Sequence, residues 1–132
     1  MKRAIILLIL VAGGLGAADR WKLYAYSQDQ PPFIYYYDSE TLRYRGTSRE
    51  PNCNCDAVVW TKTMNPNGTY RMARWELHRP SNMMRRLEAV EYNASGDVTD
   101  AKPEPSEWTE LVPESVGELL FNAIFPGRRG KI

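Results

Sequence analysis

The segment TYRMARWELH, residues 69–78, alternates strictly: Ala73, Trp75 and Leu77 fall on one side, and Arg74, Glu76 and His78 on the other. Period-two alternation marks a β-strand with one dry face, and a dry face obliges the chain to supply a cover. Five more segments have the aromatic and β-branched composition of strands and are bounded by Gly, Pro, Asn and Asp: WKLYAYS (21–27), FIYYYD (33–38), TLRYRG (41–46), DAVVWTKTM (56–64) and MRRLEAVEYN (84–93). The cover comes last, in PESVGELLFNAIFPG. There Ser115 and Glu118 have capping-box spacing, Val116, Leu119, Leu120, Ala123 and Ile124 recur as one apolar stripe of helical period, and Pro126 with Gly127 ends it. The expectation is an α+β fold: an antiparallel sheet of about six strands with one C-terminal helix packed on one face. Between sheet and helix, Asn93 to Gly96 reads as a turn, Lys102 to Pro105 as a polar loop, and Trp108 as an anchor returning the chain to the core.

The opening MKRAIILLILVAGGLGAADRW has a basic head, Lys2 and Arg3, then an apolar run from Ala4 to Leu15. That run is shorter than the roughly 20 residues a membrane-spanning helix needs. Gly16 and Ala18 stand where a signal peptidase reads small residues. Residues 1–18 are therefore expected to be a secretory signal peptide, leaving 19–132 as one exported domain, periplasmic or at the cell surface and not inserted in the membrane. Losing Lys2 and Arg3 leaves 15 basic side chains against 16 acidic ones. A balance so near neutrality lacks the basic excess that nucleic acid requires, so no nucleic-acid partner is expected. The charge is uneven, with a basic excess over 61–90 and an acidic one over 91–118.

Both cysteines lie in EPNCNCDAVVW, at Cys53 and Cys55. Export favours oxidation. An extended pair two residues apart has α-carbons about 6.6 Å from each other, close to the roughly 6.8 Å limit for a disulfide, so a local bridge needs a kinked backbone. Pro51, Asn52 and Asn54 are compatible with one. Three alternatives stand: a local Cys53–Cys55 disulfide, an intermolecular bridge giving a homodimer, or thiols able to hold Cu(I). Zinc is disfavoured, because four ligands are normal and only His78 could add a nitrogen. No cofactor or metal is assigned.

Nothing in the chain has the pattern of an active site. His78 is the single histidine, and no serine or cysteine stands in a nucleophile motif with it. The reading is a protein without enzyme activity that acts by binding other proteins. Tyr35 and Tyr37, which share a face in YYYD, together with Arg74 and Arg86, are the candidate partner contacts on an outer sheet face, since Tyr and Arg are favoured at interfaces. An envelope thiol protein using the Cys53/Cys55 loop for redox or Cu(I) chemistry is the alternative.

The order YYYDSETL, VVW, WELH, RRLEAVEYNASG and WTELVPESVGELLFNAIF resembles the surface-adhesin protein E family, small exported bacterial proteins. The resemblance spans nearly all of 19–132 and is strongest from Trp108 to Phe125. It implies an antiparallel sheet carrying a C-terminal helix, and an adhesin-like function in which host extracellular-matrix and plasma proteins are bound. Many members of that family carry one cysteine at the end of the strand matching WEL and another at the end of the helix. His78 and Phe125 occupy those places here. The resemblance therefore implies a helix held by its apolar stripe, with Phe125 filling the space of the sulfurs.

Overall fold

The computed structural model describes residues 20–45 and 55–129. The expected signal peptide, Asp19, Gly46 and Cys53 lie outside the described residues. Eight antiparallel strands form one sheet: β1 (Trp21–Tyr26), β2 (Ile34–Asp38), β3 (Arg43–Arg45), β4 (Asp56–Met64), β5 (Tyr70–His78), β6 (Met83–Tyr92), β7 (Val98–Lys102) and β8 (Thr109–Glu110). Their main order is β1-β2-β4-β5-β6-β7. β3 extends the line of β2 by pairing with the other end of β4, and β8 extends the line of β7 along β6. Three long central strands are thus flanked on each side by a broken one.

The hairpins are fixed by the same chemistry used twice. In NPNGT, Asn65 N–H donates to Thr69 O at 2.9 Å, and in NASGD, Asn93 N–H donates to Asp97 O at 2.9 Å. Gly68 and Gly96 sit at φ +92° and +93°, a conformation that side chains with a Cβ resist.

The helix α1 (Val116–Ile124) lies on one face of the sheet, followed by the short α2 (Pro126–Arg129). Its expected cap forms: Ser115 Oγ accepts from Glu118 N–H at 3.2 Å. The Glu118 carboxylate reaches one residue further back than the usual box and accepts from Glu114 N–H at 2.8 Å. At the other end the Tyr44 hydroxyl donates to Ile124 O at 2.6 Å, so the sheet itself caps the helix C-terminus. Phe125 is fully buried against Tyr44 and Phe121.

Three details correct the sequence reading. The helix faces the sheet with Gly117, Leu120, Phe121 and Ile124, so Phe121 is fully buried while Leu119 and Val116 are exposed. Two overlapping stripes were open to this helix, and the one chosen buries its only phenylalanine. Gly117 allows the approach, since a Cβ there would meet Met84 Sδ at 3.0 Å. Next, β7 and β8 are strands the sequence does not signal, because every residue in both is exposed and only backbone pairing with β6 defines them. Finally, Trp108 does not return to the core. It is 36% exposed, with Arg85 stacked 4.7 Å over its ring and His78 at its edge.

Candidate functional site

Residues directly opposed across antiparallel strands share a face, so the register sorts every strand residue to one side. The row Tyr37, Thr61, Ala73, Ala89 and the row Tyr35, Thr63, Arg71, Glu91 lie on the side of α1, with Ala57, Val59 and Leu77. The other side carries the row Tyr36, Lys62, Met72, Val90 and the row Trp60, Arg74, Glu88. Among the described residues no helix covers this second side.

Of the four candidate contact residues, the structure places Tyr35 and Tyr37 on the helix side, where both rings pack near Tyr24. Arg86 also falls there, opposite Trp75. Arg74 alone is on the open face, paired with Glu88 at 2.8 Å. The four are not brought together on one surface. A bulge separates the two arginines: Arg74 opposes Glu88 but Trp75 opposes Arg86, so Leu87 is the extra residue and parity reverses beyond it. Strict alternation would have put Arg86 beside Glu88 on the open side.

The open face is built from aromatic rings and charges that hold one another. Lys62 Nζ lies 4.7 Å over the Trp21 ring and 5.7 Å from that of Tyr70, while Tyr70 and Tyr92 stack at 4.7 Å. Burial, with the nearby Arg20 charge, pulls the Lys62 ammonium below its ordinary value, and Asp38 works against that. Asp38 is fully buried and takes a two-pronged contact from Arg20, Nε to Oδ1 and Nη2 to Oδ2, both 2.9 Å. Burial pushes the Asp38 carboxyl upward, but hydrogen bonds from Arg20, Thr41 and the Glu40 amide and the Arg20 charge outweigh it and hold the carboxyl below its usual range. Asp38 also forms the turn after β2 by accepting from Glu40 N–H, and its ion pair is not legible in the sequence because Arg20 is 18 residues away. Farther along the face, Glu76 is clamped between Arg85 at 3.0 Å and Arg45 at 3.5 Å. Between these charges lies a shallow hollow of about 180 Å³ with Trp60, Met72, Val90 and Tyr92 in its walls. Aromatic and Met surface with Arg at its margins is the composition that distinguishes protein interfaces from the rest of a surface.

One constellation invites a catalytic reading. His78 Nδ1 is 2.7 Å from Ser81 Oγ, and His78 Nε2 is 3.5 Å from Asp56 Oδ1. Acyl transfer at a serine also needs N–H donors aimed at the developing oxyanion. Two of the nearby amides are engaged: Asn82 N–H donates to Arg79 O, and Arg79 N–H to Cys55 O. These contacts hold the β5–β6 connection together. Cys55 is buried in the core cluster and is disulfide-bonded. Among the described residues no group of three or more His, Cys, Asp or Glu gathers as a metal ion would require, and no helix is long and apolar enough to cross a membrane.

The fold is therefore α+β, an antiparallel sheet with a C-terminal helix on one face and an aromatic, charge-laced face that no helix covers among the described residues. Comparison with family models, curated proteins and solved structures gives no match for this chain.

Proposed function

We propose that this chain is an exported, non-enzymatic binding module that contacts a protein partner through the open face of its sheet, in the manner of an adhesin. The observation carrying this reading is that face itself. Trp21, Trp60, Tyr36 and the Tyr70–Tyr92 stack stand there without a covering element among the described residues, interleaved with Lys62 and Arg74. Rigid aromatic rings give contact area at low conformational-entropy cost, and Trp, Tyr and Arg dominate binding energy at interfaces. The resemblance of its motifs to surface-adhesin protein E proteins agrees in kind, and extracellular-matrix and plasma proteins are the first partners to test. Arg74 is the one candidate contact retained from the sequence.

The test uses mature protein, expected by intact mass to begin at Asp19, immobilised against a panel of such proteins. Trp60→Asp should weaken capture by about tenfold or more, as a lost aromatic anchor of about 2 kcal/mol implies. Cys53→Ser with Cys55→Ser should leave capture unchanged. If the cysteine variant loses binding and Trp60→Asp keeps it, the envelope thiol reading replaces this one.

A further inference from the structure

The helix covers only part of the sheet face on which it lies. Beside its first turn is a cleft of about 300 Å³ with Tyr24, Tyr35 and Trp75 as aromatic walls, Thr61 and Thr63 on the sheet, and Leu120 from α1. A second hollow of about 430 Å³ shares Tyr35, Thr63 and Arg71 with it, so the two meet at Arg71. Together they have the size of small-molecule sites, which usually run from about 300 to 1,000 Å³.

Arg71 is out of place there for a purely structural residue. It occupies the same parity of β5 as Ala73 and Leu77, the side given to the core. Its Nε is shut off from water and has no hydrogen-bond partner, and it makes no ion pair among the described residues although Glu91 opposes it in register. Arg86 Nε on the same side is in the same state, but Arg71 differs in lining both hollows, and it is only half-buried, so an acceptor in the cleft can meet its charge. Among the described residues, Arg71 is also the only basic one lining either hollow. The neighbouring polar groups do not compete for an anion. The Thr61 hydroxyl is engaged between Ala73 O and the Trp75 indole N–H, and burial, then Tyr35, pushes the Tyr24 phenol upward so that it stays neutral. Glu110 and Glu91 line the rims and are exposed, where solvent and salt screen them.

We infer that this cleft is a binding site for a small organic acid, with a flat apolar body against Trp75, Tyr24 and Leu120 and its carboxylate on Arg71. The cleft beside α1 and its Trp75 lie on the opposite side of the sheet from the proposed protein-binding face, while the second hollow also reaches Tyr70 and Tyr92 at the sheet's end, so the two readings are told apart by Trp75 against Trp21 and Trp60.

The probes are 2-naphthoate and its neutral counterpart 2-naphthylmethanol, titrated into residues 19–132 while the Trp75 indole N–H resonance and the heat of binding are followed. The acid should bind saturably and shift Trp75, leaving Trp21 and Trp60 in place, and should be favoured over the alcohol by about tenfold or more. Arg71→Met should erase that preference without lowering the melting temperature, since it fills similar space and removes the unpartnered donor. Should Arg71→Met fold poorly, Arg71→Lys is read instead, and its acid preference should be reduced but present because the charge stays and the planar fork is lost. Equal affinity for acid and alcohol, an acid preference that survives Arg71→Met, or no saturation by concentrations on the order of 1 mM, meaning a hydrated hollow only, would each overturn the proposal.

Discussion

Replacing Phe121 by alanine is expected to destabilise the domain by about 3–5 kcal/mol, whereas Leu119→Ala should stay within about 0.5 kcal/mol. The two positions are adjacent to the same stretch of helix and both are large and apolar. They differ in where the docked helix puts them: Phe121 is 0% exposed and touches Phe125, while Leu119 is 47% exposed. Truncating Phe121 removes its transfer free energy and leaves a cavity between α1 and the sheet. Domains of this size hold about 5–15 kcal/mol in all, so a fall in melting temperature on the order of 10–20 °C is expected. Urea denaturation of the two variants side by side checks the rotation of the helix. A larger loss at Leu119 than at Phe121 would mean that the stripe read from periodicity, Val116, Leu119, Leu120, Ala123 and Ile124, is the docked one after all.

The second large effect is at the edge of the sheet, where Asp38→Asn should cost about 1–3 kcal/mol at neutral pH. Arg20 and Asp38 tie the beginning of β1 to the end of β2, and the Asp38 carboxylate is fully buried while the Arg20 side chain is partly open to water. That exposure keeps the estimate below the range for wholly buried pairs. The pH dependence has a definite sign. Because the folded-state value of Asp38 is held below its unfolded one, the contribution is fully present above about pH 4 and is lost as pH falls through the lowered value. Stability curves of wild type and Asp38→Asn should therefore run parallel from neutrality down to about pH 5 and converge below about pH 4. A gap that persists unchanged in acid would show that shape rather than charge is what Asp38 contributes.

The elements with a dry side were legible in the sequence, and the reasons are local. Alternation in TYRMARWELH, the strand runs around it and the Ser115/Glu118 cap each record a constraint between near neighbours, and the register and cap bonds follow them. The misses share a different cause. β7 and β8 have no buried residue, so no hydrophobic period announces them. Residue type groups Arg86 with Arg74 on one outer face, but the bulge at Leu87 depends on how β6 meets β5 and leaves no mark in composition. Trp108 looks like a core anchor by type, yet Arg85 and His78, distant in the chain, provide a surface seat for its ring. The open face is a similar case. Trp21, Trp60, Lys62, Tyr70 and Tyr92 come from four strands, and only pairing shows that they share one side. Arg71 was visible only as part of a basic block, and its isolation appears once Thr63 and Glu91 are set beside it without an ion pair.

The central claim, that the open face is the one that binds, can be read from the four tryptophans of the chain. Trp21 and Trp60 stand on the open side, Trp75 lies on the helix side with its indole N–H bonded to Thr61, and Trp108 marks the margin beside Arg85. The measurement is a titration of indole-labelled residues 19–132 with whichever protein of the proposed matrix and plasma panel gives capture, following each indole N–H resonance. Binding should shift or broaden Trp21 and Trp60 and leave Trp75 in place. A partner that perturbs Trp75 while Trp21 and Trp60 stay unmoved would contradict the assignment of the binding surface.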